Sequence, residues 1–270
     1  MYKIGIDIGG MSIKAGLVDN GEIIDRLAKE TDIQGGLDKL VEDITYLVNQ
    51  LVSKNNISIG EIETIGIGFP GVVTNEGAVT CVNLGLKNAL IVPKLKENFK
   101  NTTVKVGNDA NVAALGEMWQ GGGKGQKNMV MITLGTGVGS GFIVNGKLIV
   151  GEHGAGGEGG HVTVDYEETD CCGCGNKGCL EQYASATGIV RLAKKKLAVT
   201  EKTTVLNAET VTAKDVWDAV KAGDEVAIEV AEQFGKYLGS GLAIMAAVAD
   251  PAIFVIGGGV SKAGDILLLQ

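Results

Sequence analysis

The feature that most restricts the fold of this chain is a glycine-rich unit that occurs twice. Residues 6–21 can be laid over residues 132–146. In each copy an apolar strand leads into a glycine turn, a returning strand and an Asn-Gly hairpin. The matched positions are Gly10 with Gly135, Gly16 with Gly141, Asn20 with Asn145 and Gly21 with Gly146. Two copies of one unit predict an α/β fold built from two similar halves.

The glycine turns of these units are candidate phosphate-binding sites. A turn of this composition exposes backbone N–H groups with little side-chain obstruction, which is what a phosphate group requires. Two such turns facing each other can clamp a triphosphate. Residues 135–139 read Gly-Thr-Gly-Val-Gly but lead into a strand and a hairpin rather than a helix. We therefore do not interpret them as a dinucleotide fingerprint, and the sequence contains no P-loop motif.

Hydrophobic periodicity predicts the elements of both halves. The expected strands lie near residues 2–8, 14–19, 22–28, 63–68, 103–107, 128–134, 139–144 and 252–256, and the expected helices near residues 37–54, 185–197, 212–221 and 224–248. A helix that starts at Asp109 ends in the glycines at 121–123, which we interpret as a C-cap and a flexible point. We therefore predict a first domain at residues 1–120 and a second at residues 121–270.

One segment of the second half carries candidate metal ligands. Three cysteines follow the spacing C-x-C-x4-C, and a histidine precedes them by a gap of ten residues. Four such ligands can surround zinc tetrahedrally with no open position, so the zinc would be structural. The predicted ligands are His161, Cys172, Cys174 and Cys179. A disulfide, or burial of small side chains, is the alternative. Cys81 and Cys171 fit no ligand spacing. Cys171 could replace Cys172 as a ligand, but the spacing C-x-C followed by x4-C favours Cys172.

Composition indicates the cellular compartment of the protein and argues against some classes of binding partner. Five cysteines in 270 residues, and a start of Met-Tyr-Lys without an apolar leader, indicate a reducing, cytoplasmic environment. The net charge is −8, and the one basic cluster, at 194–196, is interpreted as a solvated helix end. No apolar run approaches the length of a membrane span. We therefore expect neither nucleic acid nor a membrane as a partner.

Asp109 is the candidate catalytic residue. A strand is predicted to end at Val106 and a helix to begin near Ala110, which places Asp109 at the carboxyl end of a parallel strand, where open α/β sheets bind ligands. Helix capping is its alternative role, but capping needs only one of Asn108 and Asp109. A carboxylate here can act as general base on a hydroxyl group that attacks a terminal phosphate.

Eight motifs in order along the chain carry a resemblance to a known family. They are Asp7 to Gly10, Gly68 to Gly71, Asn83 to Gly85, Asn108 to Asn111, Leu134 to Gly139, Gly157 to His161, Cys172 to Glu181 and Gly257 to Ser261. These segments resemble the ROK family of sugar kinases and repressors, and most of all its bacterial glucokinase branch. The resemblance implies the actin-like ATPase (ribonuclease H-like) fold, with two domains closing over a hexose and ATP, and a homodimer.

The resemblance also implies a role for individual residues. Asp109 would be the general base on the 6-hydroxyl of glucose, and Asp7 would face Mg²⁺ and the phosphates of ATP. His161 would place one ring nitrogen on zinc and the other toward the sugar. The sugar would be bound by Gly71, Asn83, Asn108, Asp109, Glu158, His161 and Glu181. ATP would be bound by Asp7, Gly9, Gly10, Ser12, Gly135, Thr136, Gly137, Gly258 and Gly259.

The sequence departs from the family pattern at three positions. Met11 stands where threonine is usual, Leu86 where tryptophan is common, and Gly159 where isoleucine is typical. Family members also usually continue through further helical sequence beyond the position of Gln270. Kinases for N-acetylmannosamine, N-acetylglucosamine, mannose or fructose therefore remain alternatives, as does a polyphosphate donor. A sugar-sensing repressor or other non-catalytic member of the family is the alternative from a different class.

Overall fold

The computed structural model describes residues 1–74, 76–81 and 84–268, and the chain divides into two compact units. The first comprises Met1–Ala113 with Val150–Gly156, and the second comprises Ala114–Ile149 with Gly157–Gln270. The boundary differs from the predicted 120/121, because it falls inside a continuous helix, Asp109–Gln120, that no sequence break marks. The segment at 150–156 returns to the first unit, where the backbone of Gly154 packs against that of Val73.

The first unit is built around a five-stranded sheet. Its larger elements are β1 (Tyr2–Ile8), β2 (Ser12–Asp19), β3 (Glu22–Glu30), α1 (Gly36–Lys54), β4 (Ile62–Phe69), β5 (Val72–Val73), β6 (Val79–Cys81), β7 (Leu86–Ala89), α2 (Ile91–Asn98), β8 (Thr103–Asn108) and the start of α3 (Asp109–Gln120). The strand order is β3-β2-β1-β4-β8, with β4 and β8 parallel to β1. Strands β5 to β7 form a separate small sheet.

The core of the first unit follows from two periodicities. Every second residue of β1 is buried, namely Ile4, Ile6 and Ile8, as expected for a strand with one face on the core. Helix α1 buries an apolar stripe at helical spacing, which includes Leu40, Ile44, Leu47, Val48 and Leu51. The two sets belong to one hydrophobic cluster, so the helix packs on the sheet.

The second unit repeats the arrangement with a four-stranded sheet. Its larger elements are β9 (Met129–Leu134), β10 (Val138–Val144), β11 (Lys147–Leu148), α4 (Glu181–Ala184), α5 (Ala186–Leu197), α6 (Ala213–Lys221), α7 (Glu225–Ala249) and β12 (Ile253–Gly257). The strand order is β11-β10-β9-β12, with β12 parallel to β9. Helices α4 to α7 and the strands share one hydrophobic cluster.

The internal repeat predicted from the sequence is present in the structure. Each copy is an antiparallel hairpin, β1 with β2 and β9 with β10, flanked by a parallel strand. A second hairpin follows in each copy, β2 with β3 and β10 with β11. The tips of these second hairpins carry two consecutive positive φ angles, 48° and 90° at Asn20 and Gly21, and 53° and 74° at Asn145 and Gly146. Asparagine and glycine tolerate this left-handed backbone. The fold prediction is therefore confirmed at the level of the repeat.

Several elements were not predicted from the sequence. These are the small sheet of β5, β6 and β7, helix α2 and strand β11. They are short, from two to eight residues, and too brief for a periodic pattern to stand out. Among the residues described, none of the helices has the length and apolar character needed to cross a membrane.

Candidate functional site

The candidate residues of the first unit gather where three parallel strands end. Asp7 of β1 is paired in register with Gly68 of β4, and Phe69 of β4 with Asn108 of β8. Asp109 follows directly as the first residue of α3. Because parallel strands end at the same edge of a sheet, Asp7, Asn108 and Asp109 lie at one edge, as the sequence predicted.

Asn108, and not Asp109, caps helix α3. The side-chain Oδ1 of Asn108 accepts a hydrogen bond from the backbone N–H of Asn111 at 3.1 Å, which is the usual N-cap geometry. The Nδ2 group of Asn108 donates to the carbonyl oxygen of Gly71 at 3.0 Å. Both ends of this side chain therefore have partners within the protein, and Asn108 fixes the predicted sugar-binding residue Gly71 to the strand end.

Asp109 has the electrostatic setting expected of a base. Loss of solvent around its carboxylate raises the pKa of Asp109 above the ordinary value. The N–H of Ala110, which donates to Oδ1 at 2.8 Å, lowers this pKa, and the negative charge of Asp7 raises it again. The net shift is upward. A carboxylate with a raised pKa binds a proton more readily, which suits a group that must accept one.

The first glycine turn lies between β1 and β2. The N–H of Gly9 donates to the carbonyl oxygen of Ser12 at 3.0 Å, and the Thr31 hydroxyl donates to the carbonyl oxygen of Gly9 at 2.7 Å. Met11 is 89 % exposed, so the side chain that replaces the usual threonine lies in solvent. Lys14, which sequence reasoning missed, forms a 3.2 Å ion pair with Asp7. Strand alternation was its only sequence signal, because Asp7 and Lys14 are cross-strand partners.

Asn83, predicted to bind sugar, lies outside the described residues. Leu86, which stands where tryptophan is common, is buried in the core of the unit as part of β7.

The four predicted metal ligands of the second unit come together. The ligand atoms of His161, Cys172, Cys174 and Cys179 all lie within 4.8 Å of one another. Cys174 Sγ is 3.6 Å from Cys179 Sγ, and Cys172 Sγ is 3.8 Å from His161 Nδ1. In a tetrahedral zinc site with Zn–S bonds of about 2.3 Å, ligand sulfur atoms are about 3.8 Å apart. The arrangement therefore fits zinc with four protein ligands, and Cys171 is not one of the four.

The thiol groups of this cluster lie close enough to shift one another's pKa values. Burial, with hydrogen bonding to Cys174 and Cys172, raises the pKa of the Cys179 thiol to about 12. Burial also raises the pKa of Cys172, whereas hydrogen bonds outweigh burial and lower the pKa of Cys174. Three crowded thiols cannot all ionise without a compensating charge. A divalent cation supplies that charge, so the donor set suits a metal ion chemically as well as geometrically.

His161 is placed so that its two ring nitrogens face different groups. Nδ1 faces Cys172, while Nε2 is 4.0 Å from Glu158 Oε2. The His161 and Glu158 side chains are 31 % and 44 % exposed. One nitrogen thus lies toward the cysteine cluster and the other toward Glu158, and the double role of His161 on zinc and on the sugar stays a prediction.

Glu181 links the second glycine turn to the cluster of candidate metal ligands. Its Oε2 accepts a hydrogen bond from the N–H of Val138 at 2.9 Å, and its Oε1 lies 3.7 Å from Cys172 Sγ. A side chain on Gly137 would overlap this carboxylate, which explains the glycine there. Glu181, predicted to bind sugar, therefore already supports the backbone beside the turn.

The remaining predicted phosphate residues lie at one edge of the second sheet. The carbonyl groups of Gly135 and Thr136 accept hydrogen bonds from Ala186 N and Thr187 Oγ1, both at 2.8 Å, so the start of α5 holds the turn. Strands β9 and β12 are parallel, and the backbone of Gly258 packs against that of Leu134. The turn at 135–137 and the glycines at 258–259 are therefore adjacent, so two groups of residues that were predicted to bind ATP lie at one edge of this sheet.

A network that sequence reasoning missed anchors residues 165–170, the segment that lies between the candidate metal ligands His161 and Cys172. The Tyr237 hydroxyl donates to Asp165 Oδ2 at 3.0 Å, and the Tyr183 hydroxyl shares its one proton between Asp165 Oδ2 at 2.9 Å and Glu168 Oε2 at 2.6 Å. Arg191 of α5 donates to the same oxygen of Glu168. The two tyrosine rings stack with centroids 3.9 Å apart. Their only sequence signal was the nearness of Tyr183 to Glu181.

Substitution of Glu168 by glutamine is expected to destabilise the protein by about 2 kcal/mol at neutral pH, because hydrogen bonds to a charged, buried partner become neutral ones. Although burial opposes it, bonding to Tyr183 and Arg191 lowers the pKa of Glu168 to about 2. A depressed carboxyl pKa gives stability that is complete above the ordinary value and is lost as pH falls from about 4.5 toward 2.

The measurement is the free energy of unfolding in denaturant between pH 7 and pH 3. The wild-type protein should lose more stability over the acid part of this range than the Glu168→Gln protein. Glu232→Gln, the same change on an exposed position of α7, is the control and should leave stability unchanged. Parallel curves for wild type and Glu168→Gln would contradict the role given to Glu168.

Comparison with known proteins gives a consistent result. The sequence profile of the ROK family matches residues 3–270. A glucokinase of Halalkalibacterium halodurans is 43 % identical over 276 residues, covering 99 % of this chain and 83 % of that protein. A crystal structure of a ROK family glucokinase from Streptomyces griseus, in complex with glucose and AMPPNP, has a TM-score of 0.81 and 33 % identity, covering 99 % of this chain and 86 % of that one.

Proteins named as repressors, and not as kinases, also match this chain. A xylose repressor of Caldicellulosiruptor bescii is 32 % identical, covering 98 % of this chain and 67 % of that protein. Both kinases and repressors therefore share this fold. Because the matches extend over nearly the whole chain, it belongs to the ROK family and has the actin-like ATPase fold of that family's sugar kinases.

Proposed function

We propose that this chain is a glucokinase that transfers the terminal phosphoryl group of ATP to the 6-hydroxyl of glucose, with Asp109 as general base. The chain is an ATP-dependent sugar kinase by its relatives. The observation that supports a general base in this reaction is the position and the environment of Asp109. It stands at the end of a parallel strand, its helix is capped by Asn108, and its pKa is raised. A carboxylate that is not needed for capping and is costly to keep ionised suits a catalytic role.

The proposed step requires little covalent chemistry from the protein. As the sugar oxygen forms its bond to the terminal phosphorus, the bond from that phosphorus to the ADP oxygen breaks. The hydroxyl proton passes to the carboxylate of Asp109. Mg²⁺ bound with ATP would neutralise charge on the phosphates, and Asp7 would be the carboxylate that holds it. Positioning and electrostatics supply the rest of the rate enhancement.

The residues around the metal cluster are proposed to bind the sugar. Glu158 and the Nε2 atom of His161 lie side by side and are partly exposed, so they can accept and donate hydrogen bonds to neighbouring hydroxyl groups. Zinc would be structural, because four protein ligands leave it no open position, and its part is to fix the orientation of His161. Glu181 would contribute to the sugar site while holding the backbone of Val138.

A different hexose is the second candidate substrate, and Gly159 is the observation that favours it. Where the family typically has isoleucine, this chain has no side chain beside Glu158. A change at this position alters the wall next to a sugar-binding carboxylate. Mannose, fructose, N-acetylglucosamine and N-acetylmannosamine are therefore the competitors of glucose. A cytoplasmic homodimer remains our expectation for the protein as a whole.

The test is a coupled assay of ADP release with Mg²⁺ and ATP across a panel of these five sugars. We expect the highest kcat/KM with glucose, and glucose 6-phosphate as the product. A parallel series with inorganic polyphosphate tests the phosphoryl donor. ADP release no faster with any hexose than without one would refute the kinase assignment. A kcat/KM at least tenfold higher with an N-acetylated sugar would replace glucose as the substrate.

A further inference from the structure

We propose that Ser140 is a positioning residue for sugar binding, because its hydroxyl group fixes the loop that carries Glu158 and His161. We also infer that Ser140 and Gly159 form a matched pair, in which neither residue can be changed without regard to the other. The inference rests on the proposed function, since it assigns sugar binding to Glu158 and His161. Ser140 itself would not touch the sugar.

The Ser140 hydroxyl holds the loop on both sides of Glu158. Ser140 lies in β10 and is 5 % exposed. Its Oγ donates a hydrogen bond to the carbonyl oxygen of Gly157 and accepts one from the N–H of Gly159 at 2.8 Å. The single proton of this buried hydroxyl group is thereby used, and one of its lone pairs accepts the second bond. Glu158 lies between Gly157 and Gly159, the two residues that Ser140 binds, so its backbone is fixed relative to strand β10.

The same two bonds fix the position of His161. The N–H of His161 donates to the carbonyl oxygen of Glu158 at 3.1 Å, which closes a short 3₁₀ turn over Gly159–His161. The turn begins at the residue that Ser140 binds. Movement of Gly159 would therefore displace both the His161 ring and the Glu158 carboxylate, so the positions of these two side chains depend on one hydroxyl group.

The close approach of this loop to β10 explains why position 159 is glycine. A Cβ atom on Gly159 would lie 2.7 Å from Ser140 Oγ and 2.6 Å from Met245 Cε. The end of the Met245 side chain is flexible and can move aside. The Ser140 oxygen is held by two hydrogen bonds and turns about a single side-chain bond, so it cannot. The room that a side chain at 159 would need is thus taken mainly by Ser140.

This geometry predicts a specific pattern of non-additive effects. Ser140→Ala removes both hydrogen bonds and lets the loop shift, whereas Gly159→Ala drives a methyl group against Ser140 Oγ. In the double variant the obstacle is gone, and the new methyl group occupies the space of the lost oxygen. Residues in direct contact are those for which single effects do not add. The double variant should therefore be no worse than Ser140→Ala alone.

The experiment compares wild type, the two single variants, the double variant and Ser240→Ala, a control at an exposed serine of α7. For each protein we would measure kcat, KM for glucose and for ATP, the glucose dissociation constant by calorimetry, and zinc content. For Ser140→Ala we expect KM and the dissociation constant for glucose to rise about tenfold, as the loss of two hydrogen bonds implies. The kcat, the KM for ATP and the zinc content should change less than about twofold.

Gly159→Ala should weaken glucose binding more than Ser140→Ala does, and the double variant should return to the level of Ser140→Ala. Additive losses in the double variant would refute the pairing. An unchanged glucose affinity in Ser140→Ala, with only a lower melting temperature, would reduce Ser140 to a structural role. If instead wild type turned over none of the hexoses, the proposed function itself would fail, a result distinct from both.

Discussion

Replacing Asp109 by asparagine is expected to lower kcat by at least about 10²-fold while the glucose dissociation constant changes little. Asparagine keeps the shape of the side chain and can bind a hydroxyl group, but it cannot accept the proton. Helix α3 should be unaffected, because its cap is Asn108. Since the pKa of Asp109 is raised, the charged carboxylate is a cost to the folded state at neutral pH. The variant should therefore unfold at the wild-type temperature or above it.

The matched control is Asp38→Asn, the same change in the first turn of α1, where the carboxylate is 85 % exposed. It should leave kcat and glucose binding unchanged. Separate measurement of kcat and of the dissociation constant decides the role of Asp109. A loss confined to affinity, or a fall in stability without a fall in kcat, would mean that Asp109 is not the base.

Replacing Cys179 by serine is expected to remove zinc and to lower the melting temperature by on the order of 10 °C. Cys179 is fully buried among the other ligands, and binding of a structural metal contributes directly to folding free energy. Glucose affinity should fall as well, because the orientation of His161 depends on the same site. Metal analysis of protein purified without added zinc should find about one zinc ion per wild-type chain and far less in the variant.

Cys171→Ser provides the control for this experiment. Cys171 is exposed and adjacent in sequence, but it is not among the four clustered ligands. The Cys171→Ser protein should keep the zinc content and the melting temperature of the wild type. Wild-type protein without zinc, or a Cys179→Ser protein that retains zinc and melts normally, would remove the metal from the proposed function.

The parts of the fold that were predictable from sequence are those in which information is local. The hairpin tips at 20–21 and 145–146 can be predicted from the sequence because asparagine and glycine suit consecutive positive φ angles. The long helices α1 and α7 repeat apolar residues at helical spacing over 19 and 25 residues. The metal ligands were also local, since three of them lie within eight residues of one another. In such cases spacing alone reports which side chains meet.

The parts that were not predictable depend on contacts between distant residues. Tyr237 bonds to Asp165 from 72 positions away, and no pattern in either segment indicates the other. The same holds for Ser140, whose partners Gly157 and Gly159 follow it by 17 and 19 positions. A serine within a strand looks like any solvent-facing residue of a hairpin. Only the folded chain indicates that it is buried and bonded twice.

The position of Glu181 has a consequence for how the protein should respond to chelating agents. One carboxylate supports the backbone next to the second glycine turn and lies against the ligand cluster. Two sites that share a movable group influence each other's occupancy, and by thermodynamic necessity the influence is equal in both directions. A nucleotide that steadies the turn at 135–137 should therefore raise the affinity of the ligand cluster for zinc, so that a chelator removes less zinc at equilibrium. The amount of zinc retained against a chelator thus becomes an indirect readout of nucleotide binding.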